Sequence, residues 1–382
     1  MQKFQNSLNI TETKKIALSG TTLPELAEYL KKIPGGEKQP PYRAKQIFSW
    51  IKRGARSFDD MTNLPEEFKK TMKEHAVIRG SRIYKKQCGF DGTIKLVMQL
   101  SGGETSPIGS GGSTGGVLIE TVLLPSFSEK YYTACLSTQA GCPMGCVFCK
   151  TGSMGFIRNL ETSEIAEPYL FLNDELNMNN RISNVVVMGM GEPLLNLPAL
   201  RKALEILCDP SGFGLSKRKI TVSTAGICEG IIDMAENGPE TALAVSIASA
   251  CEDLRCRLMP GASKYSLSRL KEALVFYQKK QSRRITIETV LLGGINTGTS
   301  DAQALIDFTR NIDVAINLIP WNPVNELYFE GKKLRKSGQK EIENFTSVLE
   351  NGGLTVTRRY RRGSSIAGAC GQLGITAKDT LL

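Results

Sequence analysis

From about residue 131 onward the chain alternates short apolar runs with longer stretches whose apolar positions recur three and four residues apart. The short runs are YYTACLST, ISNVVVMGM, RKITVST, ALAVSIAS, RITIETVLL, VAINLIP and GLTVTRRY, and they read as strands. Between them, LPALRKALEILC, SLSRLKEALVFYQKK, SDAQALIDFTRN and QKEIENFTSVLEN carry the period of amphipathic helices. Alternation at this spacing predicts βα units on a parallel sheet, either barrel-like or doubly wound. In both architectures the reactive side chains belong at the C-terminal ends of the strands. Pro168 falls inside the helix expected after residue 150 and predicts a break there.

The first third of the chain follows other rules. Residues 20–76 read as helical. In YRAKQIFSWIKRGAR the apolar Ile47, Phe48, Trp50 and Ile51 sit at helical spacing with basic residues opposite, and Pro65 suits the first turn of a following helix. Residues 80–127 turn to strand-like patterns, GTIKLVMQL and VLIETVLLP, separated by the Gly/Ser-rich loop SGGETSPIGSGGSTGG. The expected organisation is a basic helical module over residues 1–78, a β-rich extension over 79–130 and an α/β core over 131–382.

A chain of 382 residues with 41% hydrophobic content can bury such a core. No apolar run is long enough to span a bilayer and the first residues lack a signal-peptide core, so a cytoplasmic protein without membrane attachment is expected. Ten cysteines in that setting speak for metal or redox chemistry over a disulfide framework. The net charge of +10 suits a polyanionic partner. With His75 the only histidine, in a charged helix end, no histidine acid–base pair or His-rich metal site is available.

The chemistry concentrates in GCPMGCVFCKTG, which sets Cys142, Cys146 and Cys149 on one loop directly after the first strand of the βα series. Three thiolates can hold three irons of a cubane cluster and leave the fourth open, whereas a structural zinc would need a fourth ligand from another cysteine. Other strand ends offer Gly191 and Glu192 in MGMGEPLLN, Ser223 in ITVSTAG and Asn322 in NLIPWNP.

CxxxCxxC with an aromatic residue, Phe148, before the last cysteine resembles the radical S-adenosylmethionine (SAM) superfamily. The resemblance implies a partial (β/α)6 barrel, a [4Fe-4S] cluster on Cys142, Cys146 and Cys149, and S-adenosyl-L-methionine chelating the open iron. It also implies a low-potential electron donor such as a flavodoxin or ferredoxin. Cofactor contacts are expected from Gly191, Glu192, Ser223, Ser246, Ile247, Ala248 and Asn322.

The segments CLSTQAGCPMGCVFCKTGSMGFIRNL, GMGEPLLN, NLIPWNP and GACGQLG narrow the resemblance to the RNA adenine C2-methyltransferases of the RlmN type, with the C8-directed Cfr enzymes as near relatives. Coverage runs from about Tyr42 to the end of the chain. By this resemblance a monomer methylates adenosine 2503 of 23S ribosomal RNA and adenosine 37 of transfer RNA. Cys370 matches the methyl-carrying cysteine. One SAM methylates its thiolate, a second yields the 5′-deoxyadenosyl radical that takes hydrogen from the S-methyl group, and the methylene adds to C2. Cys135 matches the cysteine that then removes the C2 proton and displaces the product through a disulfide. Glu120 matches the family's proton-accepting carboxylate, so two candidate bases stand open. As a strand residue Glu120 also reads as the polar face of an edge strand.

RNA contact is expected from the helical module and from TRRYRRGSS, with Arg361 and Arg362 on phosphates and Trp50 and Tyr360 available for stacking. Cys88, Cys208, Cys228, Cys251 and Cys256 read as inert small hydrophobes. Three departures from the family pattern stand out. LAVSIASA lacks the usual histidine at Ala248, Arg-Gly-Ser-Ser-Ile replaces an acidic segment, and a Gly/Ser insertion occupies 108–116. The competing readings are C8 methylation, a radical enzyme acting on a small metabolite, and a zinc-dependent RNA-binding protein.

Overall fold

The computed structural model describes residues 15–100, 116–128, 130–358 and 362–375. Its first element group is three helices, α1 (Leu23–Lys32), α2 (Arg43–Lys52) and α3 (Glu66–His75). Thr22 caps α1 with a reciprocal capping box to Glu25. Leu26, Ile47 and Met72 from the three helices are wholly buried, each contributing on the order of 2 kcal/mol relative to exposure. Leu170 from the α/β core closes the same cluster, so the module is seated on the rest of the chain.

Ten strands then form one sheet in unbroken chain order. They are β1 (Arg82–Cys88), β2 (Ile94–Gln99), β3 (Leu118–Pro125), β4 (Tyr131–Cys135), β5 (Arg181–Val187), β6 (Ile220–Thr224), β7 (Ala242–Ser246), β8 (Ile285–Leu291), β9 (Val314–Pro320) and β10 (Thr355–Arg358). β1 to β4 pair antiparallel, and from β4 to β10 every pairing is parallel. Helices cross between the parallel strands: α4 (Lys150–Ser153), α5 (Thr162–Asn173), α6 (Leu197–Cys208), α7 (Cys228–Asn237), α8 (Glu252–Leu258), α9 (Leu267–Gln281), α10 (Thr299–Thr309) and α11 (Gln339–Asn351). The sheet keeps two edges, β10 and β1, and of the two architectures the alternation allows it is the partial barrel that the resemblance implies. Covered on both faces, its central strands bury consecutive apolar residues, as Leu243, Ala244 and Val245 of β7 do.

Pro168 does not end its helix. α5 runs through it, although proline there removes a backbone donor at a cost of about 3 kcal/mol. Packing offsets the loss, because eight of its twelve residues are buried. Moreover, the carboxylate of the preceding Glu167 accepts from Ser19 Oγ (2.6 Å) and from the N–H groups of Gly80 and Ser81 (both 2.7 Å). Among the other cysteines, Cys228 is buried as expected, whereas Cys88 and Cys251 are exposed. Both lie where packing ends, on the edge strand β1 and just before α8.

Candidate active site

The thiol loop opens with Gly141, whose φ of +70° and position leave no room for a side chain. A Cβ there would lie 2.0 Å from the Gly155 carbonyl oxygen. That turn lets Cys142 N–H donate to the same carbonyl (2.8 Å). Further along, Val147 N–H bonds to Leu258 O (3.1 Å) and Gly261 N–H to Met144 O (2.9 Å), pinning the loop to the end of α8. Burial pushes the Cys142 thiol up to about 12 and raises Cys146 and Cys149 as well, with the neighbouring thiols adding to the effect on all three. Three thiolates persist in such a place only beside positive charge. Among the described residues no three His, Cys, Asp or Glu side chains gather tightly enough to hold a single metal ion.

A cavity of about 190 Å³ adjoins these thiols and is walled by strand ends. Gly191 and Glu192 follow β5, Ser223 lies in β6, Ser246 and Ala248 end β7, and Asn322 follows β9; all six line it. Gly191 has φ +101°, and a Cβ would meet Gln139 Cβ at 2.5 Å. Glu192 is fully buried and accepts N–H groups from Leu194 (3.0 Å) and Ala225 (2.7 Å). Its burial raises the carboxyl above the ordinary range against these bonds. The Thr224 side chain bonds the same carboxylate, which leaves one of its four acceptor sites for an ammonium donor. Ile247 is the exception among the expected contacts: it lies in the apolar core, and only its backbone participates, donating to Glu288 O (2.8 Å). Ala248 stands where the family pattern has histidine and offers the cavity only a methyl group.

Sequence reading overlooked Glu288. Its carboxylate accepts from Ser223 Oγ (3.1 Å) and Asn317 Nδ2 (3.1 Å) and lines the same cavity. A buried charge in the middle of ITIETVL was the available signal.

A second cavity, about 370 Å³, adjoins the first, and Met188, Ile319 and Asn322 line both. Cys135, at the end of β4, lines it; Cys370 lines both cavities. Cys370 is also close enough to Cys149 to affect its ionisation. Its segment is tied down by Lys150 N–H to Gly371 O (2.8 Å), Thr151 Oγ1 to Leu373 O (2.6 Å) and Asn322 Nδ2 to Cys370 O (3.0 Å). Arg218, Lys219 and Arg362 stand around the second cavity, and Arg362 covers the exposed Phe127 ring at 5.4 Å. Tyr360 and Arg361 lie outside the described residues. Trp50 donates its indole N–H to Asn63 (2.7 Å) and is half-buried. Glu120 lines neither cavity; it is buried against Lys95 (2.8 Å) and receives the N–H of Gly374 (2.5 Å).

Parallel strands ending in a three-thiol loop beside such a cavity define a radical SAM protein, and the radical SAM superfamily model matches residues 136–306. The ribosomal RNA large subunit methyltransferase N-terminal domain model matches residues 16–78. A probable dual-specificity RNA methyltransferase RlmN of Treponema denticola is 44% identical, the match covering 95% of this chain and 96% of that protein. A protein of the same description from Thermotoga maritima is 39% identical, covering 87% and 91%. A radical SAM methyltransferase from Sphaerobacter thermophilus superposes with a TM-score of 0.84 at 34% identity, covering 94% of this chain and 99% of that one. The chain belongs to the RlmN family of radical SAM RNA methyltransferases.

Membership in the superfamily brings a [4Fe-4S] cluster and S-adenosyl-L-methionine. The residues present fit both. Cys142, Cys146 and Cys149, three thiols on one loop beside the cavity, would hold the cluster. On the cavity wall, Asn322 Oδ1 is buried with no hydrogen-bond partner among the described residues, an acceptor waiting for a ligand donor. Among the described residues no helix is long and apolar enough to cross a membrane.

Proposed function

We propose that this protein methylates C2 of adenosine in RNA, acting on 23S ribosomal RNA and transfer RNA, with Cys370 as carbon carrier and Cys135 as its partner. When bound, the cluster and SAM supply a methyl donor and hydrogen-abstracting radical chemistry. The chain supplies the rest. Glu192 and Asn322 orient the cofactor's polar groups, and Met188 and Ile319 border both cavities. The Cys370 sulfur bonds the carbon and presents it to the base edge. Adenine C2 has no lone pair and no acidic proton, so a tethered carbon is needed where direct transfer fails.

The observation that carries the reading is that Cys370 lines both cavities, with Cys135 in the second. Cys135 accepts the C2 proton, then attacks the Cys370 sulfur. The sulfur–carbon bond breaks with its electron pair going to carbon, which takes the proton Cys135 gives up and becomes the methyl group. The adduct's odd electron has by then passed to the redox chemistry the bound cluster would supply, so the methylated base leaves and a disulfide remains. A cavity of about 370 Å³ suits one base flipped from its stack. Arg218, Lys219 and Arg362 are placed for the flanking phosphates, and Phe127 for an adjacent base. We assign the enzyme to the cytoplasm, as a monomer reduced by a flavodoxin or ferredoxin.

The decisive test is Cys135→Ala. The variant should accumulate a covalent protein–RNA adduct through Cys370, seen by mass spectrometry after nuclease digestion, with turnover abolished. Full turnover without adduct would overturn the cysteine-pair mechanism.

A further inference from the structure

The tail that carries Cys370 is gripped on its far side by the β extension. Three backbone positions in the tail are held. Gly363 N–H donates to Asp91 Oδ2 (2.7 Å), Lys95 Nζ donates to Ala367 O (3.3 Å), and Gly374 N–H donates to Glu120 Oε2 (2.5 Å). Two of these points precede Cys370 and one follows it, so the reactive residue is suspended between them. Lys95 and Glu120 also pair with each other at 2.8 Å, and their side chains are only 6% and 4% exposed. Burying an ion pair gains little stability by itself. Here each partner keeps a second contact, and both of those contacts are to the tail.

Glu120 faces a third cavity, about 290 Å³, enclosed between β1–β3 and tail residues such as Ser365, Ala367 and Gly374. Neither Cys135 nor Cys370 lines it. By register Val122 stands opposite Cys135 and Glu120 opposite Val97 of β2, so Glu120 and Cys135 share one face of the sheet. What keeps Glu120 from a base lying against Cys135 is its engagement: its two oxygens are taken by Lys95 and the Gly374 N–H, and it lines the third cavity and not the second.

We infer that Lys95 and Glu120, with Asp91, form a latch by which the β extension positions the Cys370 segment, and that Glu120 is a positioning residue and no proton acceptor. The inference rests on the carrier role proposed above for Cys370. It also accounts for the three antiparallel strands, which extend the sheet so that its edge can clamp the tail over the two cavities.

Glutamine separates the two roles, because Glu120→Gln keeps an acceptor for Gly374 N–H and has no carboxylate to protonate. The first measurement is hydrogen–deuterium exchange on the full chain without cofactors. Glu120→Ala should raise exchange of the amides at 363–375 at least tenfold, with β5–β9 unchanged, and Glu120→Gln should restore most of the protection. The second is mass spectrometry of Cys370 methylation and RNA adduct in the loaded enzyme. Carrier methylation should fall in the order wild type, Glu120→Gln, Glu120→Ala, and neither variant should accumulate adduct.

Wild-type tail exchange in Glu120→Ala, or adduct accumulating in Glu120→Gln as in Cys135→Ala, would overturn the latch. If Glu120→Ala loosens the whole chain, Asp91→Ala decides, since Asp91 lies at the exposed hairpin. It must raise exchange at 363–369 alone, and unchanged exchange there overturns the proposal. If wild-type enzyme fails to methylate RNA, the functional reading fails, while the exchange result still stands or falls independently.

Discussion

Asn322→Leu should uncouple stability from ligand binding, and the size of each effect follows from one side chain. Asn322 is 5% exposed. Its Nδ2 donates to Cys370 O at 3.0 Å, while its Oδ1 has no partner among the described residues. An unsatisfied buried acceptor costs about 1–3 kcal/mol, and an ordinary hydrogen bond contributes about 0.5–1.5 kcal/mol. Leucine keeps the branched four-atom skeleton; it removes the unpaired Oδ1 but leaves Cys370 O without its donor, two opposing effects of about 1–3 kcal/mol each. The unloaded variant should therefore be within about 1 kcal/mol of wild type or more stable, read as an unchanged or higher denaturation midpoint at constant m-value. Binding moves the other way. A ligand donor that met Oδ1 is left buried and unpaired, a loss of about 1.5–3 kcal/mol, or roughly 10- to 150-fold in SAM affinity. Equilibrium dialysis of the anaerobically reconstituted protein measures it. Asn322→Asp keeps the acceptor and loses the donor to Cys370, so it should bind SAM well and methylate Cys370 poorly. A variant Asn322→Leu that loses more than about 2 kcal/mol of stability yet binds SAM normally would refute the reasoning. Oδ1 would then face no ligand, and Asn322 would only brace the tail.

Gly191→Ala must hold an L side chain at φ +101° with its Cβ 2.5 Å from Gln139 Cβ, a combined cost on the order of 3 kcal/mol. Denaturation should show that loss, and SAM affinity should fall with it as the cavity mouth narrows. Arg218→Ala and Lys219→Ala should each weaken RNA binding alike across sequences. Each should also reduce the slope of log affinity against log salt by about 0.7–0.9, in titrations at several ionic strengths. Glu341, far from the site, is held down to about 2 chiefly by its hydrogen bond to Arg335, with Gly338 N–H and Thr297 adding. A lowered carboxyl stabilises the fold above its unfolded value near 4.5 and ceases to do so as pH falls from there towards 2. Glu341→Gln should flatten that part of the stability–pH curve, measured by chemical denaturation across the acid range.

How much of this could be read beforehand divides by range along the chain. α6, β9 and α11 begin and end where their periodicity does, at 197–208, 314–320 and 339–351, because each is an isolated amphipathic or buried segment with strong local signals. The thiol loop and the strand-end residues were legible for a topological reason: βα alternation alone sends them to one end of the sheet. Glu120 was legible only as a carboxylate in a strand. Its partners Lys95 and Gly374 lie 25 residues before it and 254 after it, and no local pattern encodes such pairings. Pro168 misled for the same reason, since the bonds that hold Glu167 come from Ser19, Gly80 and Ser81, outside any window a helix rule inspects.

The position of Cys370 on a tail, and not on a strand, has its own physical logic. A strand side chain is committed by the pleat to one face, so a strand cysteine could serve one compartment only. Cys135 is such a residue and lines the second cavity alone. Cys370 sits in a loop whose backbone is fixed on both sides, by Asn322 at its own carbonyl and by Lys150 at Gly371. With the backbone held, a change of χ1 rotamer moves the sulfur by roughly 3 Å, and Cys370 already borders both cavities. In the proposed carrier role the clamp and the transfer therefore require each other. A loose tail would let the sulfur sample solvent, and a strand would not let it cross. The many backbone ties on residues 363–374 are what a carrier needs when only its side chain should move.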